Sequence, residues 1–303
     1  MVKIKYVACQ IFLLILDEGR VDGLQKNEKI VVAKYCDTRQ KIVNLQHELK
    51  YTSMMKIQAI RMFDGGFITQ AFAFGGEEGK EAFDEQILYR SSLQNFLIDT
   101  GKEVILVDTG FQNDMQEPPR KPDAPLYMGH KLNDYMAALA ETGYRPEQVT
   151  KILLTHKHAD HSGALQYFPQ AKVYMSPEEA DALKLQGDNI VRTSYKDGAY
   201  YNFPASELVA ESIRLLPAKG HTKGNSIVIV EDEGLFYMIQ GDVTYCDAAL
   251  KANKLSIVFE DLASARETLD RVRFFVDQHP TVYLSTHCPE GYENLEMKRV
   301  MKL

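Results

Sequence analysis

His156, His158, Asp160 and His161 fall within six residues, His156-Lys157-His158-Ala159-Asp160-His161, directly after the apolar run Lys151-Ile152-Leu153-Leu154-Thr155. Imidazoles and carboxylates are the donors that zinc and other borderline divalent cations accept, and four of them exceed what one catalytic zinc needs while leaving a position open for water. Two cations are the more economical reading. Further donors stand at the ends of other strand-like runs, which is where open sheets collect their sites. His221 follows Ile213-Arg214-Leu215-Leu216-Pro217, Asp242 follows Leu235 to Gly241, and His287 follows Thr281 to Thr286. Five of the eight histidines lie in this set of positions, whereas His47, His130 and His279 have no partner in the pattern and read as structural or surface residues.

The elements that must position these side chains are legible as runs. Residues 151–155 read as a buried strand of a parallel sheet, and if the extended backbone continues, His156 and His158 point to the same side. Asp160 and His161 then fall at a turn before Ser162 to Phe168, which reads as the first turns of a helix. Amphipathic spacing of Leu132, Tyr135, Met136 and Leu139 predicts a core-facing helix over Lys131 to Thr142. Ser264 with Glu267 three residues on predicts a capped helix from Ser264 to Gln278. Apolar strands alternating with helices, in a chain of 303 residues with 45% hydrophobic content, argue for one α/β domain of about 250 residues.

With those residues in view, Thr155-His156-Lys157-His158-Ala159-Asp160-His161-Ser162-Gly163 resembles the His-x-His-x-Asp-His signature of the metallo-β-lactamase-fold hydrolases. His221, Asp242 and His287 match the remaining family ligands in order and approximate spacing. Asn95 to Asp99 and Val104 to Gly110 resemble the family's paired strands ending in an Asp-Thr-Gly turn, and the likeness runs from about Met55 to the C-terminus. The resemblance implies the metallo-β-lactamase αβ/βα four-layer sandwich. Asp242 disfavours the antibiotic-destroying branches that use a Cys or lack a bridging ligand. Tyr245, three residues after Asp242, is placed as in N-acyl-homoserine lactonases, and Thr142 to Val149 and Thr286 to Glu290 also look like that branch. Cys246 to Leu250 does not resemble the segment that follows the bridging Asp in glyoxalase II-type thioesterases.

Carried over, the resemblance implies two divalent metal ions; zinc is the ion expected, and His and Asp donors also accept iron, manganese or cobalt. His156, His158 and His221 hold one, Asp160, His161 and His287 the other, and Asp242 bridges them. The implied activity is ring opening of N-acyl-homoserine lactones by a metal-bridging hydroxide, since two cations lower the pKa of a shared water from about 15.7 towards neutrality. Tyr245 then donates to the developing oxyanion and Asp160 shuttles a proton to the departing alkoxide. For Tyr245, a hydroxyl resting on a backbone carbonyl is an equal rival. Asp108 reads as a turn residue orienting a ligand histidine, and Lys157 as pointing into solvent. The alternatives are a thioesterase or phosphodiesterase of the same fold, or a metal-binding sensor without turnover.

The expected partner is a small acyl lactone or related ester. A net charge of −7 and the lack of a basic stripe near the motif argue against nucleic acid and against a ribonuclease Z-like role. Cys9, Cys36, Cys246 and Cys288 show no paired or metal-type spacing and suit a reducing cytoplasm. Residues 1–53 carry nine Lys/Arg against six Asp/Glu and the apolar run Val7 to Leu16, too short to span a bilayer and followed by no small-residue cleavage site. They read as an extension outside a 54–303 catalytic domain, with a packing element or homodimer contact as the competing expectation. The aromatic segment Ser194 to Pro204, together with Phe111 and Met128, is a candidate cover for an acyl chain, a packed loop being the plainer alternative.

Overall fold

The computed structural model describes residues 55–117, 119–121 and 123–303. The expectations for residues 1–53, with Cys9, Cys36 and His47, lie outside the described residues. Two sheets stack face to face. The first has seven strands in the order β4-β1-β2-β3-β5-β6-β7: β1 (Lys56–Thr69), β2 (Leu88–Asp99), β3 (Val104–Val107), β4 (Leu126–Lys131), β5 (Val149–Leu153), β6 (Lys172–Met175) and β7 (Ile190–Arg192). The second has five in the order β12-β11-β10-β9-β8: β8 (Glu207–Ala210), β9 (Ile213–Pro217), β10 (Ser226–Asp232), β11 (Leu235–Ile239) and β12 (Thr281–Leu284). Pairing is antiparallel through β4, β1, β2 and β3 and parallel from β3 through β7. In the second sheet only β11 and β12 run parallel.

Alternation along the strands divides the core into layers. Phe96, Ile98, Ile105 and Val107 face Leu215, Val228, Val230, Tyr237 and Ile239 across the sheet interface. Their neighbours Leu97, Leu106 and Ile152 point outward onto the helix Tyr135–Glu141 (α2), and Ile227, Ile229 and Met238 point outward onto the helix Leu262–Gln278 (α6) through Leu269, Val272 and Phe275. Both faces of the central strands are therefore buried, which is why they read as unbroken apolar runs. The helix–sheet–sheet–helix stack is the αβ/βα sandwich expected. The remaining helices are α1 (Gln70–Phe74), α3 (Ala159–Ser162), α4 (Pro177–Ala182), α5 (Asp247–Ala252) and α7 (Glu290–Glu296). No helix of the described residues is long and apolar enough to cross a membrane.

Several local expectations are corrected. Lys131 closes β4, paired with Phe63, so the helix expected from Lys131 starts only at Tyr135 and leaves Leu132 exposed. α6 begins two residues before Ser264: the Asp261 carboxylate accepts from the Ser264 backbone N–H at 2.7 Å, so Asp261 is the cap. One α-turn, Ala159–Ser162, holds Asp160 and His161, and a separate 3₁₀ turn, Leu165–Tyr167, follows in place of a continuous helix from Ser162 to Phe168. Phe111 and Met128 pack against the core under α2, with Phe111 edge-on to Phe63.

Candidate metal centre

The seven donors converge at one end of the sandwich. Imidazoles of His156 and His158 leave the end of β5, and His221 leaves the loop after β9. Their nitrogens stand close together: His156 Nε2 is 3.1 Å from His158 Nδ1, and His221 Nε2 is 3.2 Å from His156 Nε2 and 3.0 Å from His158 Nδ1. A tetrahedral cation with metal–nitrogen bonds of about 2.0–2.1 Å separates its ligand nitrogens by about 3.3 Å, so this spacing fits a shared ion. Protonation states agree. Burial first, then the neighbouring imidazoles, hold His156 well below the usual histidine range, and burial takes His221 down to about 4. Both are neutral at pH 7 and present lone pairs. Nδ1 of His221 donates to the Val258 carbonyl at 3.0 Å, which leaves Nε2 free to face the cluster.

Asp160, His161 and His287 form the second group, with His287 Nε2 at 3.3 Å from Asp160 Oδ2. Asp242 lies between the two groups. Its Oδ2 is 2.9 Å from His287 Nε2 and 3.6 Å from His221 Nε2, and its Oδ1 is 3.3 Å from His161 Nε2. Among the described residues, Oδ1 of Asp242 and Nε2 of His161 are buried with no hydrogen-bond partner, a state that a shared cation would relieve. Burial opposes charge on Asp242, yet His287 and His161 hold its carboxyl well below the carboxylate range. Burial likewise opposes charge on His161 and His287, but Asp242 and Asp160 together, joined at His161 by Asp108, raise both.

The backbone is strained at one donor, Asp242, and at Asp108, which orients another. Asp108 and Asp242 have φ of 65° and 66°, the left-handed region where non-glycine residues are uncommon. Asp108 orients a histidine as expected: its Oδ2 accepts from His161 Nδ1 at 2.7 Å and from the Thr155 hydroxyl at 2.8 Å, and its Oδ1 accepts from the Thr155 N–H at 2.7 Å. Gly241, at φ 51°, has no room for a side chain, because a Cβ there would meet Ser226 O at 2.6 Å and Thr155 Cβ at 2.7 Å.

Tyr245 is buried beside the donors. Its ring stacks on His287 with centroids 4.8 Å apart and planes 13° apart, and Phe72 meets its other side edge-on at 5.2 Å. Burial, then the charges of Asp242 and Asp160, raise its pKa well above the usual phenol value, so the hydroxyl stays protonated at neutral pH and can donate a hydrogen bond. Lys157 departs from expectation, since it is ion-paired to Glu260 and only part-exposed. The Ser194 to Pro204 segment does not cover the donors either. Tyr200, Tyr201 and Phe203 pack on Phe275 of α6, and Tyr195 bonds Ser226 Oγ at 2.7 Å. His279 belongs to the same aromatic group, and exposed His130 bonds Glu117. Two residues that the sequence reading passed over adjoin the centre: Phe72, and Glu179, whose buried carboxylate reaches the loops on either side of the first cluster.

Comparison with known proteins agrees with this fold. The family described as the metallo-beta-lactamase superfamily matches residues 94–287. A probable metallo-hydrolase of Mycobacterium bovis is 27% identical over 175 residues, covering 49% of this chain and 56% of its own length. An N-acyl homoserine lactonase of Bacillus cereus is 23% identical over 144 residues, covering 46% and 58%. The chain thus spans little more than half the length of these relatives. Among solved structures, an N-acyl homoserine lactone hydrolase with N-hexanoyl-L-homoserine bound at its catalytic metal center superposes with a TM-score of 0.59 at 17% identity, covering 81% of this chain and 96% of that one. A dizinc quorum-quenching lactonase superposes with a TM-score of 0.56 at 18% identity, covering 78% and 88%.

Proposed function

The chain belongs to the metallo-beta-lactamase superfamily, and from that premise we infer that it is a dinuclear metal-dependent hydrolase that opens the lactone ring of N-acyl-homoserine lactones. The observation that carries this reading is two adjoining donor clusters, with Asp242 grouped with the first and its carboxylate 3.3 Å from His161 and 2.9 Å from His287 of the second, and the hydroxyl-bearing ring of Tyr245 laid against His287. His156, His158 and His221 would hold one divalent ion and Asp160, His161 and His287 the second, with zinc the ion proposed. When bound, the ions supply Lewis acidity and a water acidified to about pKa 7.

The remaining work falls to this chain's own groups. Tyr245, kept protonated by its burial, donates a hydrogen bond to the oxygen on which charge develops, and its stacking on His287 fixes the angle of approach. Asp160 is the carboxylate of the set that keeps some exposure, 18% for its side chain, and so can pass a proton to the alkoxide that leaves on ring opening. Phe72 places an apolar edge next to Tyr245 and keeps bulk water from that side. Kinship to the Bacillus lactonase and the solved lactone hydrolases supports the choice of substrate.

The test is proton release on adding short- and long-chain N-acyl-homoserine lactones to zinc-loaded protein in weak buffer. Rapid release with either is expected. Silence with both, in protein holding two metals per chain, transfers the reading to a thioester or phosphodiester. Residues 1–53 are proposed to lie outside the catalytic unit, so a chain starting at Met55 should keep metal and turnover. Failure of that chain to fold overturns the division.

A further inference from the structure

Glu179 opens α4 in a pattern that a sequence reader would assign to helix capping. Ser176-Pro177-Glu178-Glu179 has the form in which the first residue caps the helix and the fourth reaches back to it. Only half of that exchange is made. Ser176 Oγ accepts from the Glu179 N–H at 3.3 Å, but the Glu179 carboxylate turns away from the helix. Its Oε2 accepts from the backbone N–H of Lys157 at 2.7 Å. Its Oε1 accepts from the Thr222 hydroxyl at 2.7 Å and from the Gly224 N–H at 2.8 Å.

Those three donors belong to two different loops. Lys157 sits between His156 and His158, and Thr222 follows His221 directly, so one carboxylate joins the two segments that carry all three imidazoles of the first cluster. Glu179 is 1% exposed, and among the described residues no cation pairs with it, so its oxygens are satisfied by these hydrogen bonds alone. Room for this arrangement is built into the loop. A Cβ on Gly224 would lie 2.1 Å from Ser176 Oγ and 2.9 Å from Glu179 Oε1, so the approach exists only because residue 224 lacks a side chain.

We propose that Glu179 is the positioning residue of the His156–His158–His221 cluster, tying the loop of the first two ligands to the loop of the third so that their nitrogens stand ready for a cation. It plays for that cluster the part that Asp108 plays for His161. The proposal rests on the metal-binding side of the reading above and not on its substrate.

The test is stepwise metal affinity of the full chain, read by competition of zinc with a chromophoric chelator and by the visible absorption of the cobalt-loaded protein. Glu179→Gln keeps the volume but sets an amide N–H₂ against backbone N–H donors. It should weaken one binding step about 10–100-fold, change the cobalt spectrum, and leave intact the step that Asp108→Asn weakens. Both steps equal to the parent's would overturn the proposal, as would equal weakening of both together with a matching loss of melting temperature in the metal-free protein. Should Glu179→Gln fail to fold, Thr222→Val removes one of the three donors and should weaken the same step several-fold. Unchanged affinity in that variant overturns the proposal as well. A parent that holds two metals yet leaves lactones intact sinks only the substrate reading.

Discussion

The two donor clusters sit side by side but are held by different means. In the first cluster burial keeps His156 and His221 neutral, Glu179 bonds the loops that carry all three imidazoles, and the Val258 carbonyl sets the direction of His221. Around His161 and His287 the carboxylates of Asp242 and Asp160 stand within reach, so that cluster offers charge as well as geometry. A site made of neutral ligands depends on being preorganised, whereas a site rich in carboxylate attracts a cation even when its geometry loosens. Asp242 is where the two regimes meet.

Substitution can break this comparison outright. Asp242→Ala removes the one group shared by both clusters and leaves His161 and His287 without their main counter-charge. Metal analysis should then find both ions lost and turnover at the buffer background. An intact first ion in that variant would show that the clusters are independent.

Tyr245→Phe probes the opposite case, a change that should spare both clusters. The ring still stacks on His287, so two metals per chain are expected, while kcat falls about 100-fold for want of one oxyanion donor. A drop in metal content with no further effect on rate would make Tyr245 a packing residue. Asp108→Asn sharpens the asymmetry, because the amide cannot hold the His161 tautomer that Asp108 fixes. Affinity at the second cluster should fall about 10–100-fold with the first unaffected.

A last effect, on stability and not on metal or turnover, concerns another buried aspartate, five residues from Asp242. Asp247 faces the Asn294 amide at 2.9 Å and the Cys288 thiol instead of imidazoles, and burial raises its pKa to about 6. Because the folded pKa lies above the unfolded one, the folded state holds the proton between about pH 4 and 6. Stability from this group is full below pH 4 and is lost as pH rises through 6, a cost on the order of 2–3 kcal/mol at pH 7. Asp247→Asn should flatten the parent's decline in melting temperature across that window. An unchanged pH profile would count against the assignment.

The fold was largely legible, since strands buried on both faces announce themselves as apolar runs. Helix starts were not, because Lys131 satisfies a helical period and a strand partner equally well, and only pairing with Phe63 decided between them. Glu179 and Phe72 escaped notice for a related reason. The first imitates a capping glutamate and the second an ordinary core aromatic, and their distant partners are invisible in the sequence around them.

The chain's own order of residues determined that four donors share one stretch of six residues and that three more follow separate strands, because spacing along a strand or turn is a local property of the backbone. Tertiary structure alone decided that His221 joins His156 from 65 residues away, that Asp242 stands between the groups, and that Lys157 reaches Glu260 instead of solvent. Those outcomes depend on strand order within two sheets and on how the sheets stack, and donor geometry a few ångströms across is fixed only when both are in place.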